Sequence, residues 1–105
     1  MIVSNLKIPY YAVIFTTLLT NNQADYEETS KRMEKLAKQQ DGYLGIESAR
    51  SKIGITVSCW KDLASINKWK KNIEHTEARA NGRNKWYQQY QLRICKLERD
   101  YGFER

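Results

Sequence analysis

The segment YYAVIFTTLL at residues 10–19 decides the predicted fold, because it is rich in β-branched and aromatic residues and apolar on both alternating faces. Such a segment is typical of a central β-strand that is covered on both sides. Helices of the same chain can cover one side. The other side, if left open, forms an apolar patch of the kind that marks an interface. The strand therefore predicts that a second copy of the chain packs against it.

The residues that follow supply a helix and a hairpin. Apolar residues recur every three or four positions after Asp25, which predicts a first helix. Asp25 and Glu28 have the spacing of a capping box, and Gly42 suits the helix stop. Residues 43–50 and 54–60 are predicted to be two strands of a hairpin.

The second half of the chain predicts two more helices and a last strand. Asp62 suits the N-cap of a second helix, and Asn72 that of a third helix running to about Trp86. Residues 87–101 return to strand character. The order β-α-β-β-α-α-β, with short right-handed connections, favours an α+β fold: a ferredoxin-like antiparallel four-stranded sheet with helices on one face.

Length and charge limit the function classes. A chain of 105 residues is one domain. Its net charge is +6, and residues 61–105 carry eleven positive and six negative side chains. This excess could attract nucleic acid or anionic lipid. The basic residues 61, 68, 70 and 71 alternate with apolar ones, however, as on the solvated face of a helix.

Several site types have no support in the sequence. The apolar part of the longest uncharged stretch is too short to span a membrane, and residues 1–8 do not resemble a targeting segment, so we expect a cytoplasmic protein. Cys59 and Cys95 are the only thiols. They form no metal-ligand spacing, and the predicted topology puts their strands on either side of the first strand, too far apart for a disulfide. We expect both to be small buried residues and no metal to bind.

Four segments together resemble a known family. They are the first strand YYAVIF at 10–15, QDGYLGIESAR at 40–50, ITVSCW at 55–60 and WKKNIEH at 69–75. As a set they resemble the antibiotic biosynthesis monooxygenase domain over about residues 10–99, which leaves 100–105 as a C-terminal tail. This resemblance implies a dimeric α/β barrel. The family includes cofactor-independent oxygenases, haem-degrading enzymes and quinol oxygenases, and the resemblance alone does not choose among them. From the residues below we predict a homodimeric cofactor-independent monooxygenase of a small aromatic or quinone-like substrate.

A cofactor-free oxygenase needs a base, a cation for the substrate anion and a dry aromatic pocket. His75 is the only histidine and is predicted to be the base. In the first turn of a third helix, the helix dipole would keep its ring neutral. Arg79, one turn later, is predicted to stabilise the anion. The substrate-binding residues are predicted to be Trp69, Trp86 and Phe15.

Two alternatives share this fold. One is a non-catalytic small-molecule-binding or stress-response protein, which no feature of the sequence separates from an oxygenase. The other is a haem-binding or haem-degrading relative. Haem-degrading members resemble one another in an Asn on the first strand and in an iron-ligating His ten residues after a helical Trp. Trp69 matches, but residue 79 is Arg and residues 10–19 contain no Asn.

An RNA-recognition motif has the same element order and tests the nucleic-acid hypothesis. Its third strand carries aromatic residues that stack on bases. Here the corresponding segment, KIGITVSC at 52–59, matches that pattern only at Lys52 and Val57. We therefore expect no nucleic-acid partner.

Overall fold

The computed structural model describes residues 2–79 and 83–105, and gives only the backbone of residues 78, 79, 83 and 84. The elements in chain order are β1 (Tyr10–Leu19), α1 (Tyr26–Lys38), β2 (Tyr43–Arg50), β3 (Ile53–Trp60), α2 (Leu63–Arg79), α3 (Arg83–Trp86) and β4 (Tyr87–Leu97). The four strands form one antiparallel sheet in the order β2-β3-β1-β4. The predicted ferredoxin-like α+β fold is confirmed.

Helices α1 and α2 cover one face of this sheet. Val13 of β1 and Trp60 of β3 are buried there against Ala37 of α1 and against Ile66 and Trp69 of α2. Because side chains alternate along a strand, the odd-numbered residues of β1 share this helix-covered face. It contains the hydrophobic core of the chain.

The opposite, open face is only partly covered by this chain: Tyr10, Ala12 and Cys59 are buried on it, but apolar side chains toward Leu18 remain exposed. Cross-strand pairing places Ile53 and Ile55 of β3 opposite Leu18 and Thr16 of β1 on this face. Ile53 is 53 % and Ile55 46 % exposed. The strand that the sequence predicted to be apolar on both sides thus has one side in the core and one side next to an exposed apolar surface.

The prediction that a third helix begins at Asn72 is wrong. α2 continues without a break through residue 72 to Arg79, and the short α3 begins at Arg83. Asn72 is exposed, and its side-chain amide donates a hydrogen bond to Gln40 Oε1 at 3.3 Å instead of capping a helix. His75 is therefore not in a first helical turn, and the dipole argument for a neutral imidazole no longer applies.

The two predicted helix caps differ in outcome. The amide of Ser65 donates to Asp62 Oδ1 at 2.8 Å, so Asp62 caps α2 as expected. Asp25 has a left-handed backbone with φ 65° and makes no side-chain cap hydrogen bond. Glu28, expected to complete the capping box, faces Arg32 at 3.5 Å. The capping-box prediction is wrong because this backbone geometry replaces the extended one that the motif requires.

The cysteines also differ from each other. Both are free, and their strands flank β1 as predicted, since Cys59 and Cys95 both pair with Ala12. Cys59 is buried, but Cys95 is exposed because β4 is an edge strand and its open face has no cover in this chain. The expectation that both are buried is wrong for Cys95.

Candidate functional site

Five aromatic side chains meet on the helix-covered face near the end of β1. We call them the aromatic cluster: Phe15, Tyr26, Trp86, Tyr87 and Tyr90. The ring of Tyr87 is central, with its centroid 5.9 Å from Phe15, 6.2 Å from Tyr26, 6.4 Å from Trp86 and 5.6 Å from Tyr90. These four contacts are edge-to-face, an arrangement that aromatic pairs prefer. The rings therefore hold one another in defined orientations.

Backbone contacts fix the cluster to the connection between β1 and α1. The indole Nε1 of Trp86 donates to the carbonyl of Ala24 at 2.6 Å, and the amide of Thr20 donates to the carbonyl of Trp86 at 2.7 Å. The pairing of β1 with β4 shifts register between Leu18 and Leu19, so that Leu19 pairs with Tyr87. This irregularity brings Trp86 and Tyr87 over the end of β1.

A row of cross-strand neighbours beside the aromatic cluster contains a positively charged residue, Arg50. Arg50 pairs with Gly54, Gly54 with Thr17, and Thr17 with Tyr90, so all four lie on the helix-covered face. Arg50 reaches across Gly54, where a Cβ atom would overlap the guanidinium. Its Nη2 donates to Thr17 Oγ1 and, at 3.2 Å, to the hydroxyl of Tyr26. The guanidinium carbon lies 5.7 Å from the centre of the Tyr26 ring. The charge is thus held at the edge of the aromatic cluster.

The structure brings together two of the predicted binding residues and separates the third. Phe15 and Trp86 both belong to the aromatic cluster. Trp69 is 7 % exposed and stacks on Trp60, with centroids 6.0 Å apart. Trp60 pairs with Tyr11 of β1. Tyr11 lies four positions before Phe15, so the two are about 13 Å apart along the strand. Trp69 lies in the hydrophobic core at the other end of the sheet.

The predicted catalytic residues both belong to α2. Ile66, Trp69 and Ile73 mark its inward face. His75 follows Ile73 by two residues, which is about 200° around the helix, and its side chain is exposed. The side chain of Arg79 lies outside the described part of the chain. His75 therefore faces away from the sheet, and it is not brought to the aromatic cluster.

Two further residues, Glu77 and Arg50, escaped the sequence analysis. Glu77 lies four positions after Ile73 on the inward face of α2 and is 1 % exposed. The helical spacing that identified Trp69 and Ile73 also marks position 77, so this signal was available. Arg50 could have been found from the predicted hairpin, because a loop of three residues at 51–53 places Arg50 opposite Gly54, a residue that leaves room for a long side chain.

A cleft of about 610 Å³ lies elsewhere, along the edge strand β2. Its walls include Ile2, Glu34, Glu47, Ile55 and Val57. Glu47 already accepts a hydrogen bond from the amide of Val3 at 2.9 Å. None of the predicted site residues and no member of the aromatic cluster lines this cleft.

Two titratable groups on the open face are held in their neutral forms. Burial, together with the hydrogen bond that its hydroxyl donates to Asp100 at 2.7 Å, raises the pKa of Tyr10 to about 12. Burial and the nearby carboxylates of Glu47 and Asp100 raise the pKa of the Cys59 thiol. At neutral pH neither group is an anionic nucleophile.

Comparison with known proteins gives a sequence relative and a consistent set of structures. No protein-family model matches the chain. Uncharacterized protein YqjZ of Bacillus subtilis (strain 168) is 44 % identical over 98 residues, which cover 91 % of this chain and 86 % of YqjZ.

No helix in the described part of the chain is long and apolar enough to cross a membrane.

Two solved structures illustrate the fold likeness. SnoaB, a cofactor-independent oxygenase from Streptomyces nogalater, superposes with a TM-score of 0.71 at 9 % identity, covering 88 % of this chain and 96 % of SnoaB. A protein from Nitrosomonas europaea, provisionally described as an antibiotic biosynthesis monooxygenase, superposes with a TM-score of 0.69 at 11 % identity, covering 94 % of this chain and all of that one. At such identities the likeness establishes the fold.

Proposed function

The chain belongs to the protein family of YqjZ and has the antibiotic biosynthesis monooxygenase fold, and from this premise we propose that it is a cofactor-independent monooxygenase. Its substrate in this proposal is a small electron-rich aromatic or quinone-like molecule. The observation that carries the proposal is the aromatic cluster with the Arg50 guanidinium at its edge. Aromatic rings and a fixed cation are what an ionised aromatic substrate requires.

The proposed oxidation by O₂ requires no cofactor, because the substrate anion itself supplies the electrons. An anthrone-like substrate that loses a proton becomes an electron-rich anion able to reduce O₂ directly. One oxygen atom then replaces two substrate hydrogens as a carbonyl, and the other leaves with those hydrogens as water. The protein lowers the barrier by removing the proton and stabilising the anion.

His75 and Arg79 are proposed for the proton-transfer and anion-stabilising roles on sequence grounds, with Phe15, Trp86 and Trp69 as substrate-binding residues. Phe15 is half-buried and gains support from its place in the aromatic cluster. Trp86 is fully buried, so it is proposed to act on binding indirectly, through its contacts with Tyr26 and Tyr87. Trp69 is proposed to act on binding indirectly, because it supports the packing of α2 against the sheet. Arg50 is a second cation that could take the role given to Arg79.

Oxygen uptake with a panel of hydroquinones, naphthohydroquinones and anthrones tests the activity. If His75 is the general base, His75→Ala lowers turnover roughly 100-fold or more while the protein stays folded. A matched variant, Asn72→Ala, removes an exposed polar side chain from the same helix and should leave turnover unchanged. Failure of the wild-type protein to consume oxygen with any member of the panel would contradict the proposed activity.

The exposure of His75 favours one second candidate, a non-catalytic small-molecule-binding protein of the same fold. Under this alternative the aromatic cluster binds the ligand and no proton is removed. The same panel then binds, with quenching of tryptophan fluorescence, but consumes no oxygen, and His75→Ala changes neither binding nor stability.

We also propose that the protein is a homodimer in the cytoplasm. The apolar open face, with Ile53 and Ile55, supports a second copy as its cover, and the exposed Tyr101 and Phe103 of the C-terminal tail could contact that copy. The exposed free thiol of Cys95 suits a reducing compartment. Analytical ultracentrifugation at micromolar protein should give a dimer, and deletion of residues 101–105 should weaken it. A monomeric mass for the full chain contradicts the dimer.

A further inference from the structure

The guanidinium of Arg50 is held in place by three different contacts. Gly54 leaves room beneath it, Thr17 accepts a hydrogen bond from Nη2, and Tyr26 offers both its hydroxyl and its ring. Thr17 is 3 % exposed, so one end of this arrangement is anchored in the protein interior. A long side chain that is normally mobile has thus lost much of its freedom before any ligand arrives, which lowers the entropic cost of binding one.

This cation has no carboxylate partner among residues 2–79 and 83–105. Within the described side chains, Arg32 faces Glu28 at 3.5 Å and Lys85 faces Asp25 at 3.8 Å, whereas no acidic oxygen lies within 4.0 Å of Arg50. The two described hydrogen bonds both use Nη2. The N–H groups of Nε and Nη1 therefore remain for another acceptor, in the planar fork geometry that suits an oxyanion.

Accessible aromatic surface lies beside this cation. Tyr26, which contacts Arg50, is half-buried, and the fully buried Trp86 supports its ring from below at a centroid distance of 5.5 Å. Tyr90 pairs with Thr17 on the other side of the row and is 41 % exposed. A flat ring that packs against Tyr26 and Tyr90 can present an oxygen on its rim to the guanidinium.

We propose that Arg50 is a substrate-binding residue that selects aromatic ligands carrying a negatively charged oxygen, such as a phenolate, an enolate or an aryl carboxylate. The inference rests on the proposed function only for the identity of the reacting molecule. Binding of an aromatic anion at Arg50 can be measured whether or not the molecule is oxidised.

The test compares one anionic probe with its neutral counterpart. 1-Hydroxy-2-naphthoate and 1-hydroxy-2-naphthamide have the same ring system, and tryptophan fluorescence reports their binding. Arg50→Gln should raise the Kd of the naphthoate about 10- to 100-fold, the effect expected for losing a charge-assisted hydrogen-bonded pair, and leave that of the naphthamide unchanged. Arg50→Lys, which keeps the charge but loses the fork, should fall between the wild type and Arg50→Gln.

Two further variants separate a local effect from a general one. Arg32→Gln removes another exposed arginine, on α1, and should leave the Kd of both probes unchanged. Gly54→Ala keeps the charge of Arg50 but displaces its side chain, so it should weaken naphthoate binding while Arg50→Gln adds little further loss. A thermal melt of each variant confirms that it is folded.

The outcomes distinguish this inference from the proposed function. Arg50-dependent binding of the naphthoate, with no oxygen uptake on any quinol, supports the inference and contradicts the oxygenase. Oxygen uptake that persists in Arg50→Gln, with an unchanged Kd for the naphthoate, supports the oxygenase and overturns the inference. A wild-type protein that binds the naphthamide as tightly as the naphthoate also overturns it.

Discussion

The two ends of the helix-covered face use aromatic residues in different ways. At the Tyr11 end, Trp60 is fully buried and Trp69 stacks on it, with Ile66 packed alongside. At the Thr17 end, the aromatic cluster meets edge to face, and Tyr90 remains 41 % exposed. One end is a closed core, whereas the other combines the fully buried Trp86 with a partly exposed rim and a cation. Residue type alone therefore does not separate an aromatic side chain that stabilises the fold from one able to meet a ligand.

The largest expected effect of a substitution is at the closed end. Trp69→Ala removes a buried indole from between α2 and β3, and it should lower the free energy of unfolding by about 3 to 5 kcal/mol. Denaturant unfolding followed by circular dichroism measures this loss. A variant as stable as the wild type would show that the stacked pair is not part of the core, and the contrast between the two ends would fail.

Tyr90→Ala gives the matching measurement at the accessible end. Its ring contacts Phe15 and Tyr87 but is partly exposed, so the loss of stability should be smaller, about 1 kcal/mol. The same substitution should reduce the free energy of binding of an aromatic probe by more than it reduces the free energy of unfolding. If Tyr90→Ala destabilises the protein as much as Trp69→Ala, then both ends belong to one continuous core.

The smallest expected effect concerns the start of α2. The hydrogen bonds from Ser65 lower the pKa of the Asp62 carboxyl below its usual 3.8. Because the folded state favours the ionised form, this cap contributes fully above pH 3.8, and the contribution disappears as the pH falls through the lowered pKa. Asp62→Ala should therefore be less stable than the wild type at pH 7, and the difference in unfolding free energy should be smaller at pH 3, below the usual carboxyl pKa of 3.8. An equal difference at both pH values would contradict the cap's role.

Most of the fold was predictable because it depends on periodic patterns. β1 was predicted over the residues that form it, and the inward spacing of α2 follows the helical repeat. The end of α2 was not predictable from the sequence. Asn72 is compatible with both a helix cap and a helix interior, and only its contact with Gln40 decides between them.

The site was less predictable because it depends on strand order and register. Phe15 and Trp86 are 71 positions apart, and only the pairing of β1 with β4 brings them into one cluster. The guanidinium of Arg50 is held by Gly54, Thr17 and Tyr26, which belong to three other elements. His75 was singled out as the only histidine, a property that carries no information about which way a helix faces.

Strand β4 has a consequence for the behaviour of the protein in solution. It is an edge strand of eleven residues, and three of its apolar side chains, Tyr90, Leu92 and Ile94, are 41 to 46 % exposed. A long edge with apolar side chains is a template for non-native strand pairing and aggregation. Arg93 and Lys96 interrupt this edge with like charges, which repel one another when two such strands approach. The repulsion between these cations thus opposes aggregation. It is weakest in concentrated salt, because salt screens the charges.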